Sequence, residues 1–359
     1  MTSEDKAAAQ KDMLPVSQAP SPINEPLMMA LVCEEPDPAM NGIRLRAIER
    51  PLPAAGQVRI RMGAASLNPV DWKLASGFAP WWAGKGAHVV GLDGAGTIDM
   101  LGEGVVGWSV GDRVVWHGDL NRHGVLAEFA IAESHVLTRL PGNIEATSAS
   151  ALPCAGLTAY QALTRKARLE AGQTVLVQGA SGAVGGFAVQ IAKAKGATVI
   201  ALARPDQQAR VKALGADHVL DRLAEDLKEQ VRALTGGYGA DIMVEVANPG
   251  DARRSLDLIR YNGHLLCIDP MPDLSQVPAY TYAASIHEVA LGGAYAAGHL
   301  PTQRDFAVMG DELLSLLGQG RLDPMIERII PLEGAVMALK EMRDTGTTGK
   351  IVVSIGGRT

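Results

Sequence analysis

Apolar and polar residues change rhythm near residue 146, and the two stretches predict different architectures. From Met28 onward, short apolar runs alternate with turn residues. Met29-Ala-Leu-Val-Cys33 and Gly42-Ile-Arg-Leu-Arg46 predict strands separated by a Pro/Asp turn. Gln57-Val-Arg-Ile-Arg-Met62 alternates apolar and basic residues, the period of a half-exposed antiparallel strand. His88–Val90, Gly94–Ile98, Arg113–Trp116 and Ala127–Ile131 continue the series with Gly/Asp turns between them. Many short strands of this kind predict a small barrel-like all-β module.

Beyond Ala146 the period lengthens. Ala149–Leu152 and Thr158–Leu163 read as helices, and then strands and helices take turns. Strands are predicted at Thr174–Val177, Thr198–Ala203, His218–Leu220, Asp241–Val246 and His264–Ile268. Helices are predicted at Val184–Lys193, Gln207–Leu214, Glu225–Leu234 and Asp251–Ile259. Such alternation is that of a doubly wound parallel sheet, an α/β fold. His287–Leu291 reads as its last strand, open to pair with a second copy. Asp305–Leu317 and Glu333–Arg343 carry helical periodicity, and Lys350–Ser354 reads as a strand returning to the first module.

Composition narrows the picture. A chain of 359 residues predicts about two domains, and 47% apolar residues suffice for their cores. A net charge of −6 gives no basic face for nucleic acid. Cys33, Cys154 and Cys267 are odd in number and far apart, which predicts a reducing compartment and no disulfide framework. No apolar run has the length of a membrane span. Residues 1–26 are rich in Ala, Pro, Ser and Gln without an apolar h-region, so they read as a flexible tail, and the expected location is the cytoplasm.

The chemistry centres on Thr174–Gly186, TVLVQGASGAVGG. A buried strand turning tightly into a helix begins a dinucleotide-binding unit, where small residues admit a pyrophosphate and the helix start offers it N–H groups. The spacing Ala180, Gly182, Gly185 departs from the strict glycine fingerprint at its first position. Ala180, Ser181, Gly182, Ala183, Val184 and Gly185 are the candidate cofactor contacts. An acidic residue after the second strand would hold the ribose of NAD, but the residue after Ala203 is Arg204, whose guanidinium suits a 2′-phosphate. The expected cofactor is therefore NADP(H).

Seven stretches in chain order resemble the medium-chain dehydrogenase/reductase superfamily, and within it the zinc-independent quinone oxidoreductase and alkenal reductase branch. They are Ser66–Lys73, Val90–Gly96, Gly111–Val114, Leu152–Tyr160, Gly179–Gly186, Leu214–Val219 and Thr348–Val352. Beyond the tail read over 1–26, the resemblance implies a GroES-like catalytic domain over 27–150. It further implies a Rossmann NADP-binding domain over 151–298 and a C-terminal return over 299–359. Zinc relatives of similar layout carry a Cys/His/Cys site, and the matching positions here are Asn68, Leu92-Asp93 and Cys154. A thiol with an amide and a leucine does not make a three-ligand site, so no metal is expected. Cys154 is expected to be a small buried residue, and His117, His123, His135, His218, His264, His287 and His299 show no ligand spacing.

What the resemblance implies for activity is hydride transfer from NADPH to quinones or α,β-unsaturated carbonyl compounds, whose conjugation spreads the incoming charge. Asn68 is expected to offer an amide N–H there. Asp71 is expected to be ionised and to orient neighbours, while Lys73 and Thr158 complete the catalytic candidates. Tyr160 reads either as a hydroxyl donor or as a packed aromatic. Ala247 and Asn248 are expected beside the cofactor ribose, and Lys350 at a phosphate. Enoyl-thioester reductases of the superfamily have a tyrosine where this chain has Gly77–Trp82, so that activity is the alternative, together with a cofactor-binding sensor that lacks turnover. Phe78, Trp81 and Trp82 are expected either to wall an aromatic pocket or to cover the module's core. The partner is a small molecule, with no nucleic acid or membrane, and a homodimer is expected.

Overall fold

The computed structural model describes residues 26–77, 86–246, 252–268 and 271–356. The first module is antiparallel and built around one long strand. Its strands are β1 (Leu27–Cys33), β2 (Ile43–Glu49), β3 (Gln57–Ser66), β4 (His88–Val89), β5 (Asp93–Leu101), β6 (Arg113–His117), β7 (Phe129–Glu133) and β8 (Thr138–Arg139). Val58–Ser66 of β3 pairs with β5 on one side. On the other side its first half, Gln57–Arg61, pairs with β7. Leu31, Ile60, Val114, Leu126 and Ile351 fill the module's core.

The second domain is a six-stranded sheet, all of it parallel. Its strands are β9 (Thr174–Gln178), β10 (Thr198–Ala203), β11 (His218–Asp221), β12 (Ala240–Glu245), β13 (Ile259–Cys267) and β14 (Ser285–Glu288). They lie in the order β11-β10-β9-β12-β13-β14, so the chain reverses its direction of travel at β9. Helices cover both faces, which is why Val175, Leu176, Val177, Val199, Ile200 and Ala201 form runs without a polar residue. A doubly wound sheet of this order opens a ligand crevice at the carboxyl ends of its strands, beside the reversal. The fold is the α/β one expected, a β-module with a Rossmann-like parallel sheet.

The chain then returns to the module. The helix Leu300–Gly318 packs its Phe306, Met309 and Leu313 on the shared core, and β15 (Ile326–Pro331) and β16 (Lys350–Ser354) close the seven-stranded sheet. β16 lies antiparallel to the second half of β3, with Val352 opposite Ser66. Three elements differ from expectation. The helix near residue 251 covers only Ala252–Leu256, because Ile259 already starts a nine-residue strand. The last strand of the parallel sheet is Ser285–Glu288, not His287–Leu291. The alternation Ile326-Glu-Arg-Ile-Ile, overlooked in the sequence, is the strand β15. Among the described residues no helix is long and apolar enough to cross a membrane. Residues 1–25, Phe78, Trp81, Trp82, Ala247 and Asn248 lie outside the described residues, and so do the expectations placed on them.

Candidate active site

The glycine turn sits at the carboxyl end of β9, at the reversal point of the sheet. Gly179, not Ala180, makes the turn, with φ at +74°, a conformation that costs a side-chain-bearing residue strain. Ala180 faces the core and is fully buried. Gly182 caps the helix Ala183–Ala194, and among the described residues no side-chain cap bond serves its start. Gly185 lies against the turn itself, where a Cβ would stand 2.2 Å from the Gly179 carbonyl oxygen. Gly179, Ser181, Gly182 and Arg204 line a cleft of about 540 Å³, together with Thr345–Thr348 of the return segment. That cradle and the free helix start fit a dinucleotide phosphate. Arg204 is exposed and approaches Asp206 at 3.5 Å. Arg222, which the sequence reading passed over, lines the same cleft from the end of β11.

A second group of polar residues is buried where the module meets the return strand. Asp93 accepts at Oδ2 from Asn68 Nδ2 (2.9 Å) and Ser66 Oγ (3.1 Å), and at Oδ1 from the Cys154 N–H (2.8 Å). Lys350 Nζ donates to Asn68 Oδ1 (2.6 Å), the Leu67 carbonyl (3.3 Å) and Asp93 Oδ2 (3.4 Å). Strand register explains the meeting. Ser66, Asp93 and His117 are successive partners across β3, β5 and β6, and the Leu67 N–H donates to the carbonyl of Ile351, beside Lys350.

Two expectations change here. Asn68 has both amide hydrogens engaged, one on Asp93 and one on the Ser66 carbonyl at 3.3 Å, so neither is left for a substrate oxyanion. Lys350 is 1% exposed and spends its donors inside this cluster, so it does not stand at the phosphate cleft. Lys73 is half-buried on the helix Pro69–Ala75. The Thr158 hydroxyl donates to the Cys154 carbonyl, and both residues are half-buried on a helical run with wide π turns, Pro153–Lys166. Tyr160 is 2% exposed under Arg165 and Lys195, a packed aromatic. His117, which shows no ligand spacing in the sequence, lies beside Asp93 and Cys154. Burial holds its imidazole below the usual histidine range and the Cys154 thiol well above the usual thiol range.

Asp71 is not the ionised carboxylate expected. It is fully buried, and burial pushes its carboxyl up to about 7, against the pull of the Asn68 N–H that donates to its Oδ2. Its Oδ1 has no hydrogen-bond partner among the described residues. The proton stays on the folded protein up to about pH 7, while an unfolded chain releases it near 3.8. The stability that this residue contributes is therefore full below about pH 4 and is lost as pH rises through 7. Asp71→Asn keeps an acceptor for the Asn68 N–H without the titration. Its melting temperature should gain on the wild type from pH 5 to about pH 7 and level off above that, and a gap that is flat with pH throughout would discard the assignment.

Both parts of the chain match known families. Residues 54–142 match the alcohol dehydrogenase GroES-like domain, and residues 183–307 match the zinc-binding dehydrogenase family. The chloroplast envelope quinone oxidoreductase homolog of Arabidopsis thaliana is 33% identical over 312 residues, which are 84% of this chain and 91% of that protein. Among solved structures, an alcohol dehydrogenase superfamily protein from Novosphingobium aromaticivorans superposes with a TM-score of 0.84 at 30% identity, covering 92% of this chain and all of that one. The CurK enoyl reductase does so with a TM-score of 0.79 at 26% identity, covering 92% of this chain and 100% of that one.

Proposed function

The chain belongs to the medium-chain dehydrogenase/reductase superfamily, in its quinone oxidoreductase branch, and from that premise we propose that this oxidoreductase passes hydride from NADPH to quinones or α,β-unsaturated carbonyl compounds without a metal. The observation that carries the cofactor part is Arg204 at the rim of the glycine-turn cleft, with no acidic residue at the end of β10. When bound, NADPH supplies a hydride at C4 of its nicotinamide. Gly179, Ser181 and Gly182 would hold the pyrophosphate against the helix start, and Arg204, joined by Arg222, would hold the 2′-phosphate. A conjugated acceptor stabilises the incoming charge by delocalisation and needs chiefly to be oriented. Cys154 and Thr158 are the half-buried groups of the site, and the thiol stays protonated, so neither adds a negative charge beside a developing enolate or quinol. The open edge of β14 is the one that a homodimer of continuous sheets would use.

The likeness to the CurK enoyl reductase keeps acyl thioesters as a second class of acceptor. Spectrophotometric assays with NADPH and with NADH against a quinone, an alkenal and an enoyl thioester decide among these. NADPH should be preferred. Arg204→Ser should lower kcat/KM with NADPH by roughly 10–100-fold, the value of a hydrogen bond to a charged group, and leave NADH unaffected. No turnover with any acceptor would overturn the reductase reading, and thioester turnover alone would move the substrate to the second class.

A further inference from the structure

Asp93, His117 and Cys154 bring a carboxylate oxygen, a ring nitrogen and a sulfur to within 4.8 Å of one another. The fold itself makes the trio. Asp93 and His117 are register partners on β5 and β6, and the Cys154 N–H is bonded to Asp93. His117 is 3% exposed, and its Nδ1 is buried with no hydrogen-bond partner among the described residues. A carboxylate, an imidazole and a thiol are a donor set for zinc, the metal that the description of the matching family implies. Bonds of about 2.0–2.3 Å would require the three atoms to close by roughly 1 Å.

The same pocket already contains a cation. The Lys350 ammonium is buried 3.4 Å from Asp93 Oδ2, and its three acceptors are all protein atoms. Asp93 in turn is filled with donors on both oxygens. A divalent ion on Asp93 would sit beside an ammonium that is itself buried, and like charges at such range repel strongly in a buried site. The residues present therefore do not fit zinc while Lys350 is in place.

We propose that Lys350 is the built-in cation of a latent metal site: its ammonium satisfies Asp93 in place of a divalent ion, and its removal opens Asp93, His117 and Cys154 to metal. Lys350 is thus a positioning residue that excludes metal from the site. The inference concerns the pocket of the proposed reductase and rests on that reading for its role in turnover, but its test needs no turnover, so failure of one is distinguishable from failure of the other.

Cobalt(II) titration of the full chain tests it, because a cysteine thiolate bound to cobalt(II) absorbs in the near ultraviolet. Wild-type protein should show no such band. Lys350→Gln, which keeps a donor for Asn68 Oδ1 without the charge, should bind one equivalent with the band, on the order of 100-fold tighter than wild type. Lys350→Gln combined with Cys154→Ser should lose the band. A wild type that takes up cobalt with the thiolate band overturns the proposal, and so does a Lys350→Gln protein with a cooperative melting transition and no band. If Lys350→Gln does not fold alone, refolding with zinc or cobalt present should restore its cooperative transition, and absence of that rescue overturns the proposal as well.

Discussion

Asp93→Ala should be the most damaging single change in the buried polar cluster, lowering stability by about 3–5 kcal/mol. Asp93 is fully buried and serves four donors, the Ser66 hydroxyl, the Asn68 amide, the Cys154 N–H and the Lys350 ammonium. Alanine leaves all four short of an acceptor. The dominant cost is Lys350, whose charge would remain inside the protein with only neutral partners. Thermal unfolding followed by circular dichroism should show a midpoint lower by roughly 10 °C, since each kcal/mol is worth about 2–4 °C in domains of this size. Asp93→Leu with Lys350→Met removes both charges and should recover a good part of the loss. A midpoint within about 2 °C of wild type for Asp93→Ala would show that the ammonium does not depend on this carboxylate, and would remove the basis of the latent metal site too.

The same cluster shows where sequence reasoning stops. Thr198–Ala203 and Lys350–Ser354 are strands with the bounds expected, because a strand buried on both faces is a run of apolar residues that announces its own ends. The glycine turn is legible as a turn, but a small-residue pattern does not say which residue takes the positive φ, and that residue is Gly179. Lys350 was misplaced for a different reason. It meets Asn68 across 282 residues of chain, and only the register of β16 on β3 brings the two together. A lysine beside a glycine reads as a surface or phosphate-binding cation until that register is known. His117 is the same case on a shorter span, its role set by pairing with Asp93 rather than by spacing to any other ligand. For Asp71 a signal was present, an Asn-Pro-x-Asp helix start in which an acid at the third helical position caps the first turn. That motif predicts the Asn68 N–H contact, but not the complete burial that raises the carboxyl.

Gly185→Ala should abolish dinucleotide binding by opening the turn on which it depends. The added Cβ would lie 2.2 Å from the Gly179 oxygen, 2.6 Å from the Gly179 carbonyl carbon and 2.8 Å from Ala180 Cα. All three are backbone atoms, so no side-chain rotation relieves the contact, and the helix must move off β9. Overpacking a well-packed core costs about 1–3 kcal/mol, and a clash confined to backbone belongs at or above the top of that range. Gly182→Ala is the control at the same turn. Its φ is −82° and its nearest contact would be an ordinary 3.5 Å to the Gly179 oxygen. Differential scanning fluorimetry should find Gly182→Ala within about 1 kcal/mol of wild type and Gly185→Ala well below it. NADPH fluorescence titration should find no saturable binding for Gly185→Ala. Equal melting points for the two variants would mean that the helix does not rest on the turn, and that the glycine pattern reports only room for the ligand. The contrast separates the two jobs that small residues do here, since Gly185 is required by the packing of the protein against itself and Gly182 by the approach of an anion to the helix start.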